Sequence, residues 1–561
     1  MRDPPQQGAR RRLLASLPAL STRSVLARLA PVISLGELAA CAAPRTLSTG
    51  AGVQVPVSAL RRLIAERTDP VTGRCRYVAE TDRARIERPI LLARAGESID
   101  LQVINRLPQP TTIHFHGMTL PAAQDGAGFE PIAPGASARL QFVVRNRSGL
   151  YWFHPHAHGF TAEQVYAGLV GLLIVRDDDD AEVDRALAIA PSNRQACAIS
   201  DVRISNGVIA PYAPTAEECA SGWIGERTLV NGTLDPVLDV APGWVRLQLL
   251  NAGNARGWLL GLREIEGERR DQLEIPFHLL GTDGGLLPAP VALDRVFVHP
   301  AERIDLVFVA RAGTRVSAVS LPFEPRNQMA LMPRAMAHPA RAGHAPLAAV
   351  AVCAENEGES GAVNAARRDG GAITLLAIQV AADYGAAALP PLPGRISGLS
   401  DAASNASDPA SSSSSTSPPP RTRRIRLDFD PDAGFVIDQQ AYTMNETGWV
   451  LARSVREIWE IKNSPISMPH PMHLHGLAFR VLRRQGTFGP ARALATCGAG
   501  RVATDLGVKD TVVVWPNETV WLAIDGSLPA DAAFAGAQRY LFHCHNLEHE
   551  DAMMMRNVVV T

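Results

Sequence analysis

One strand pattern recurs three times along the chain. Ile99-Asp-Leu-Gln-Val-Ile-Asn105, Val245-Arg-Leu-Gln-Leu-Leu-Asn251 and Glu457-Ile-Trp-Glu-Ile-Lys-Asn463 each roughly alternate apolar and polar positions and end on Asn. A period of two with β-branched and aromatic residues reads as a half-buried strand. A second marker follows each copy: Ile132-Ala-Pro134-Gly135, Val298-His-Pro300-Ala-Glu302 and Val514-Trp-Pro516-Asn-Glu518, each ahead of another apolar strand such as Arg303-Ile-Asp-Leu-Val-Phe308. Repeated strands punctuated by Pro and Gly predict three β-sandwich domains of Greek-key type, over residues 60–180, 190–385 and 422–561. Residues 396–421 are rich in Ser, Ala and Pro, including Ser411 to Ser415 and Pro418 to Pro420. That composition cannot bury a core and predicts a flexible linker. Asp177 to Asp180 reads as a solvated loop at the first junction.

The copies differ in their histidines. After Asn105 comes His114-Phe-His116-Gly117, and after Asn463 comes His470-Pro-Met-His473-Leu-His475-Gly476. The middle copy has Asn251-Ala-Gly-Asn-Ala-Arg256 and no histidine pair, so it reads as a spacer. Phe153-His154-Pro-His156 in the first domain parallels Phe542-His543-Cys544-His545 in the third, where His549 and Met554 follow. These blocks use ten of the fifteen histidines. Along an extended strand Cys544 leaves one side and both flanking histidines the other. A thiolate, imidazoles and a weak thioether make up the blue-copper ligand set. The flanking pair then serves a second metal centre joined to the first by one residue's backbone. Zinc fits less well, because structural zinc sites gather several Cys, or a Cys/His quartet, in one place.

The bulk numbers leave this reading intact. A chain of 561 residues accommodates three or four domains. Its 46% hydrophobic content, 42 Pro and 45 Gly suit a loop-rich β protein. A formal charge of −1 favours neither nucleic acid nor an anionic membrane. Outside the leader no apolar run is long enough for a membrane span. The seven cysteines are Cys41, Cys75, Cys197, Cys219, Cys353, Cys497 and Cys544; Cys197 and Cys219 are close enough in sequence to pair in an oxidising compartment. Residues 1–45 read as an export leader. Arg10-Arg11-Arg12-Leu13-Leu14 resembles a twin-arginine signal, and Leu38-Ala39-Ala40-Cys41 resembles a lipobox, with Cys41 as the lipid anchor, although Arg23, Arg28 and Glu37 interrupt the apolar region. A periplasmic or cell-envelope location follows.

Over about residues 85–561 the four histidine blocks resemble those of three-domain multicopper oxidases of the bacterial laccase and copper-tolerance type. The resemblance implies an all-β chain of three cupredoxin-like Greek-key β-sandwich domains and four copper ions. It assigns His470, Cys544, His549 and axial Met554 to a type 1 copper. His114 and His473 fall to a type 2 copper, and His116, His154, His156, His475, His543 and His545 to a type 3 pair. The run Met553-Met554-Met555 replaces the family's usual Gly before the axial Met; spacing favours Met554 and leaves Met553 open. The implied reaction is one-electron oxidation of a small donor coupled to four-electron reduction of dioxygen to water. Asp125 and Glu550 match the family's proton-transfer acids, a role suited to positioned carboxylates.

The donor is expected at an exposed imidazole edge near His470. Phenols, aromatic amines, cuprous ion and tetrapyrroles can all serve; phenol oxidation comes first and cuprous oxidation second. Met329, Met332 and Met336 with His338 and His344 form only a sparse soft cluster, and Met468 and Met472, flanking His470, read as apolar packing. His158, His278 and His299 also lack ligand spacing and read as surface or loop residues. From a different class, some exported relatives keep this fold, lose the ligands and act as structural or cell-division factors. Here every ligand position is filled.

Overall fold

The computed structural model describes residues 46–47, 52–265, 272–325, 370–382, 389–396, 420–486, 489–496 and 498–561. The expected leader, Cys353, Cys497, the sparse cluster from Met329 to His344 and nearly all of the linker lie outside them. The linker's predicted ends do not hold: Ile396 is buried beside Leu280 and Leu286, and Arg421 opens the strand Arg421–Asp430.

Six large sheets stack as three sandwiches. The first pairs a five-stranded sheet ending on His114–His116 with one built around Leu60–Arg67 and Ser98–Arg106. Leu63, Tyr77, Val103, Phe115, Phe153 and Leu173 fill the space between. The middle sandwich has two seven-stranded sheets, and the third has two of five strands around Ile461, Met472, Leu522 and Phe542.

The recurring strands occupy equivalent places. Ser98–Arg106 lies parallel to Leu60–Arg67 and antiparallel to Ser137–Val143. Gly243–Asn251 has parallel Arg194–Val202 and antiparallel Arg303–Ala310 beside it. Arg456–Asn463 has parallel Arg421–Asp430 and antiparallel Thr519–Asp525. The terminal asparagines explain why two sequence markers travel together. Asn105 Nδ2 donates to the carbonyls of Gln109 and Ile132, Asn251 Nδ2 to those of Arg256 and Val298, and Asn463 Nδ2 to those of Met468 and Val514. In each copy one acceptor lies two residues before the marker proline. The buried amide thus ties the end of one strand to the turn before the next, with both of its own N–H groups spent on backbone carbonyls.

Alternation holds in Ser98–Arg106, where odd-numbered apolar residues are buried and their neighbours face water. It fails in Gly243–Asn251, which is buried on both faces from Val245 onward. One face of that sheet packs on the first sandwich through Leu150, Trp152, Ala196, Ala198 and Leu250. The polar positions Arg246 and Gln248 are therefore interior, and they need partners.

Those partners correct the reading of Asp177 to Asp180. They begin a helix, Asp178–Ala186, with Asp177 as its N-cap accepting from the Asp180 amide at 2.9 Å. Acidic residues suit a helix N-terminus. Asp180 is buried 2.9 Å from both Arg246 and Arg194, and Arg246 also pairs with Asp184 at 2.8 Å and Asp305 at 2.5 Å. Removing one member of such a network leaves uncompensated buried charge, at a cost of about 3–5 kcal/mol. Arg246→Met is expected to lower the denaturant midpoint of unfolding correspondingly; an unchanged midpoint would show these carboxylates to be hydrated.

Candidate metal centre

Strand alternation lays out the ligand side chains. In His114–His116 both imidazoles leave one face, and Phe115 enters the first core from the other. Antiparallel pairing sets His154 opposite His114, and Trp152 opposite His116. In the third sandwich, pairing of His470–Leu474 with Gln538–Cys544 sets His473 opposite His543 and Met472 opposite Cys544. Cys544 joins Met472 and Met554 in the third core.

The fold brings all the expected histidines together. Ligand atoms lie within 4.8 Å of one another in His114, His116 and His473; in His116, His154 and His545; in His156, His475 and His543; and in His470, Cys544 and His549. The eight rings of the first three groups are at most 1% exposed, so they are held neutral. Burial, the largest cause, lowers His114, His475 and His545 to about 3 and the other five well below the ordinary value, with neighbouring rings adding to the effect in most.

Their hydrogen bonds test whether a metal fits. A neutral imidazole has one donating and one accepting nitrogen. His475 Nδ1 donates to Asp125 Oδ2 at 2.7 Å, and His543 Nδ1 donates to the Cys544 carbonyl at 3.1 Å. Both Nε2 atoms therefore carry lone pairs, yet they face each other at 3.0 Å. His114 and His473 repeat the arrangement. Their Nδ1 atoms donate to the carbonyls of Asp125 and Asp510 at 2.8 and 2.9 Å, and their Nε2 atoms stand 3.4 Å apart. Opposed lone pairs repel unless a cation lies between them. Among the described residues, His154 Nε2, His116 Nδ1 and both His545 ring nitrogens are buried with no hydrogen-bond partner. One ring nitrogen donating outward while the other faces inward is how metal-binding histidines are held. Imidazole donors suit copper.

At the sulfur, Cys544 Sγ is 3.4 Å from His470 Nδ1 and 3.6 Å from His549 Nδ1. Burial pushes the thiol far up, so a thiolate there needs a cation beside it. Met553 has a left-handed backbone (φ 67°) and packs with Ala127, Tyr442 and Leu541, away from the core that holds Cys544 and Met554.

The expected exposed edge near His470 is absent. His470 and His549 are buried, with Ser467 Oγ 2.9 Å from His470 Nε2 and the Ala220 carbonyl accepting from His549 Nε2 at 3.2 Å. Phe435 lies 3.9 Å from the His549 ring. Ala220 belongs to the helix Ala216–Ser221 of the middle sandwich, so that sandwich covers the sulfur site and is more than a spacer.

Both expected acids are buried at the cluster. Asp125 Oδ1 has no hydrogen-bond partner among the described residues, and burial raises the group to about 6, with His114 opposing. Glu550 places Oε1 3.4 Å from His156 Nε2 and Oε2 3.4 Å from His543 Nδ1. Burial, with Asp551 adding, raises it well above the carboxylate range. Sequence spacing missed several neighbours. Asp551 accepts from the amides of Gly159, Thr161 and Ala162, while Glu548 accepts from Tyr212 OH at 3.0 Å and Asn254 Nδ2 at 2.8 Å. Their nearness to the His549 block was the one available signal. Asp510, Thr511 and Arg303 had none.

Among the leftover residues, His299 is buried against Trp515 and held at about 3 by burial, contrary to a surface reading. His158 sits 5.7 Å from the His156 ring and contacts the Ala127 carbonyl. Cys197 is a free thiol in the middle core, so it does not pair with Cys219, which is disulfide-bonded elsewhere. Met468 and Met472 are core residues, as expected.

Two family models described as multicopper oxidase match residues 83–180 and 415–561, which between them contain every ring of the site. The chain is 25% identical over 478 residues to multicopper oxidase mco of Staphylococcus haemolyticus, covering 84% of this chain and 82% of that one. The crystal structure of McoA multicopper oxidase from Aquifex aeolicus superimposes with a TM-score of 0.70 at 25% identity, over 92% of this chain and 99% of that one.

The first and third sandwiches are multicopper oxidase domains.

The chain is an oxidase with a copper-binding histidine cluster. It is also 32% identical over 219 residues to cell division protein FtsP of Xenorhabdus nematophila, over 39% of this chain and 44% of that relative.

The buried rings predict how the copper-free oxidase responds to acid. Unfolded histidines protonate near 6.5, whereas the folded rings stay neutral down to about 3 or lower. Between those values the unfolded state takes up more protons, so stability falls as pH falls. Each fully buried ring costs on the order of 1 kcal/mol per pH unit there. The unfolding temperature of chelated protein is expected to drop steeply between about pH 6.5 and pH 5; a flat profile would mean that the rings are solvated.

Proposed function

We propose that this oxidase couples one-electron oxidation of a small donor to reduction of dioxygen to water. The observation that carries the proposal is the pairing of opposed ring lone pairs with a buried thiol on the strand of one of those rings, His543. Under this reading His470, Cys544, His549 and Met554 hold a type 1 copper. His114 and His473 hold a type 2 copper, and His116, His154, His156, His475, His543 and His545 hold a type 3 pair. Copper bound there supplies one-electron redox chemistry, collected singly and delivered to dioxygen four electrons at a time.

The protein's own part is geometric and protonic. Cys544 lies between His543 and His545 in sequence, so the sulfur site and the cluster share one short stretch of covalent chain. The full burial of both keeps bulk water from the cluster. Asp125 holds a proton acceptor, Oδ1, within 3.5 Å of His114 Nδ1 while Oδ2 anchors His475. Glu550, driven toward its protonated form, holds a proton at an oxygen 3.4 Å from His156 or His543. The two acids flank the cluster as proton carriers for water formation.

The donor we infer is phenolic or a similar aromatic. The closed cover made by Ala220 and Ser467 favours cuprous ion as the second reading, because a small ion needs no ring-to-ring contact with His549. Oxygen uptake by copper-loaded protein, with a dimethoxyphenol and with cuprous ion, tests the choice. Faster turnover on the phenol supports the first donor. Preference for cuprous ion moves the assignment to copper tolerance. No blue absorption and no uptake with either donor would leave the cell-division class that the FtsP likeness represents. We also infer export by the twin-arginine route to the periplasm or envelope, from Arg10 to Arg12; N-terminal sequencing of the mature protein tests it. Among the described residues no helix is long and apolar enough to cross a membrane.

Asp125→Asn is expected to slow oxygen uptake about 100-fold while the blue absorption stays, since the substitution removes a proton carrier. Parental turnover would end the proton-carrier role.

A further inference from the structure

His116 is held the other way round from the rings beside it. His114, His154, His473, His475 and His543 each bond outward through Nδ1. His116 bonds outward through Nε2, 3.1 Å from Asp510 Oδ1 and 3.1 Å from Thr511 Oγ1, which leaves buried Nδ1 as its unpartnered nitrogen.

What fixes Asp510 comes from the middle sandwich. Arg303 Nη1 donates to Asp510 Oδ1 at 2.7 Å, and Nη2 donates to Oδ2 at 2.5 Å. The remaining three donors reach backbone carbonyls: Nε to Leu150 at 3.1 Å, Nη1 to Ala301 at 3.0 Å and Nη2 to Asp283 at 3.1 Å. All five guanidinium N–H groups are thus used, on acceptors from all three sandwiches. A lysine has three donors on one atom and cannot reproduce that fork.

The pair sits where the residue after His116 would carry a side chain. A Cβ on Gly117 would meet Asp510 Oδ2 at 2.5 Å and Arg303 Nη2 at 2.6 Å. Behind it, Asp283 accepts from the Arg303 amide at 2.9 Å and pairs with Lys509 at 3.0 Å, and Lys509 pairs with Glu302 at 3.0 Å. Asp510 is therefore clamped on the side away from His116.

We infer that Arg303, in the sandwich that lends no ring to the cluster, is a positioning residue for it: by holding both oxygens of Asp510 it makes His116 present Nδ1 and withhold Nε2. The inference rests on reading the rings as copper ligands. It assigns the middle sandwich a specific task at the cluster.

The test uses Arg303→Lys and Asp510→Asn in the full chain. In copper-free protein carrying nitrogen-labelled histidine, two-bond proton–nitrogen spectra are expected to show His116 as the Nε2–H tautomer in the parent and to lose that preference in both variants. After copper loading, the cluster's copper affinity by chelator competition is expected to fall about 10- to 100-fold, the range for losing an outer-shell partner, while the blue absorption at Cys544 persists. Unchanged tautomer and affinity in Arg303→Lys overturn the inference. Loss of the blue absorption in step with the cluster also overturns it, by making Arg303 a general scaffold residue. A parent that binds no copper sinks the oxidase reading instead, and the copper-free spectra still report whether Arg303 orients His116.

Discussion

Opposed imidazole lone pairs at 3.0 and 3.4 Å are the constraint from which the rest of the molecule follows. A chain left to itself would rotate those rings apart or protonate one of them. Here neither is available. Each outer Nδ1 is tied to a carbonyl or to Asp125, and burial makes the imidazolium form costly. The electrostatic strain is confined to the point where a cation would relieve it. Preorganisation of this kind needs rigid walls, which explains why five of the eight cluster rings sit on paired strands and the other three within two residues of a strand's end.

Two strand registers supply those walls. His154 opposite His114 fixes the half from the first sandwich, and His473 opposite His543 fixes the half from the third. A slip of one residue in either ladder would send every ring into a hydrophobic core and its apolar neighbour into the cluster. Phe115 and Cys544 guard against the slip, because each is buried in its own sandwich on the far side of the strand. The same alternation that protects the register separates the sulfur site from the cluster while leaving them one residue apart.

How much of this could be read in the sequence depended on the range of the interaction. The Asn and Pro markers were legible because one amide side chain enforces both: Asn463 binds the carbonyls of Met468 and Val514, two residues ahead of Pro516. The ligand blocks were legible because alternation makes short spacings meaningful. Burial from outside a strand was not. Arg246 and Gln248 look like the wet face of a half-exposed strand until the first sandwich covers them, and Asp180 becomes interior with them. The cover over His549 was hidden for the same reason, since Ala220 contributes a carbonyl that any residue possesses. Arg303 and Asp510, 207 residues apart, carry no motif at all.

The middle sandwich shows what remains of a repeat after its ligands are gone. It keeps the Asn251 tether and the turn before Pro300, so its strands end where those of the outer copies end. That position faces the other two sandwiches. The segment that carries rings in the outer copies carries Asn254 here, whose Nδ2 donates to the Ala162 carbonyl and to Glu548 and whose own carbonyl accepts from the Leu547 amide. Leu547 opens the helix Leu547–Asp551, which bears both His549 and Glu550. Asp551 closes the same helix onto the start of Thr161–Ala167 in the first sandwich. One five-residue helix is thus held from both sides, by a middle-sandwich amide and by first-sandwich N–H groups. A frame that merely separated two outer domains would not need to grip the element that carries a sulfur-site ring and a proton carrier.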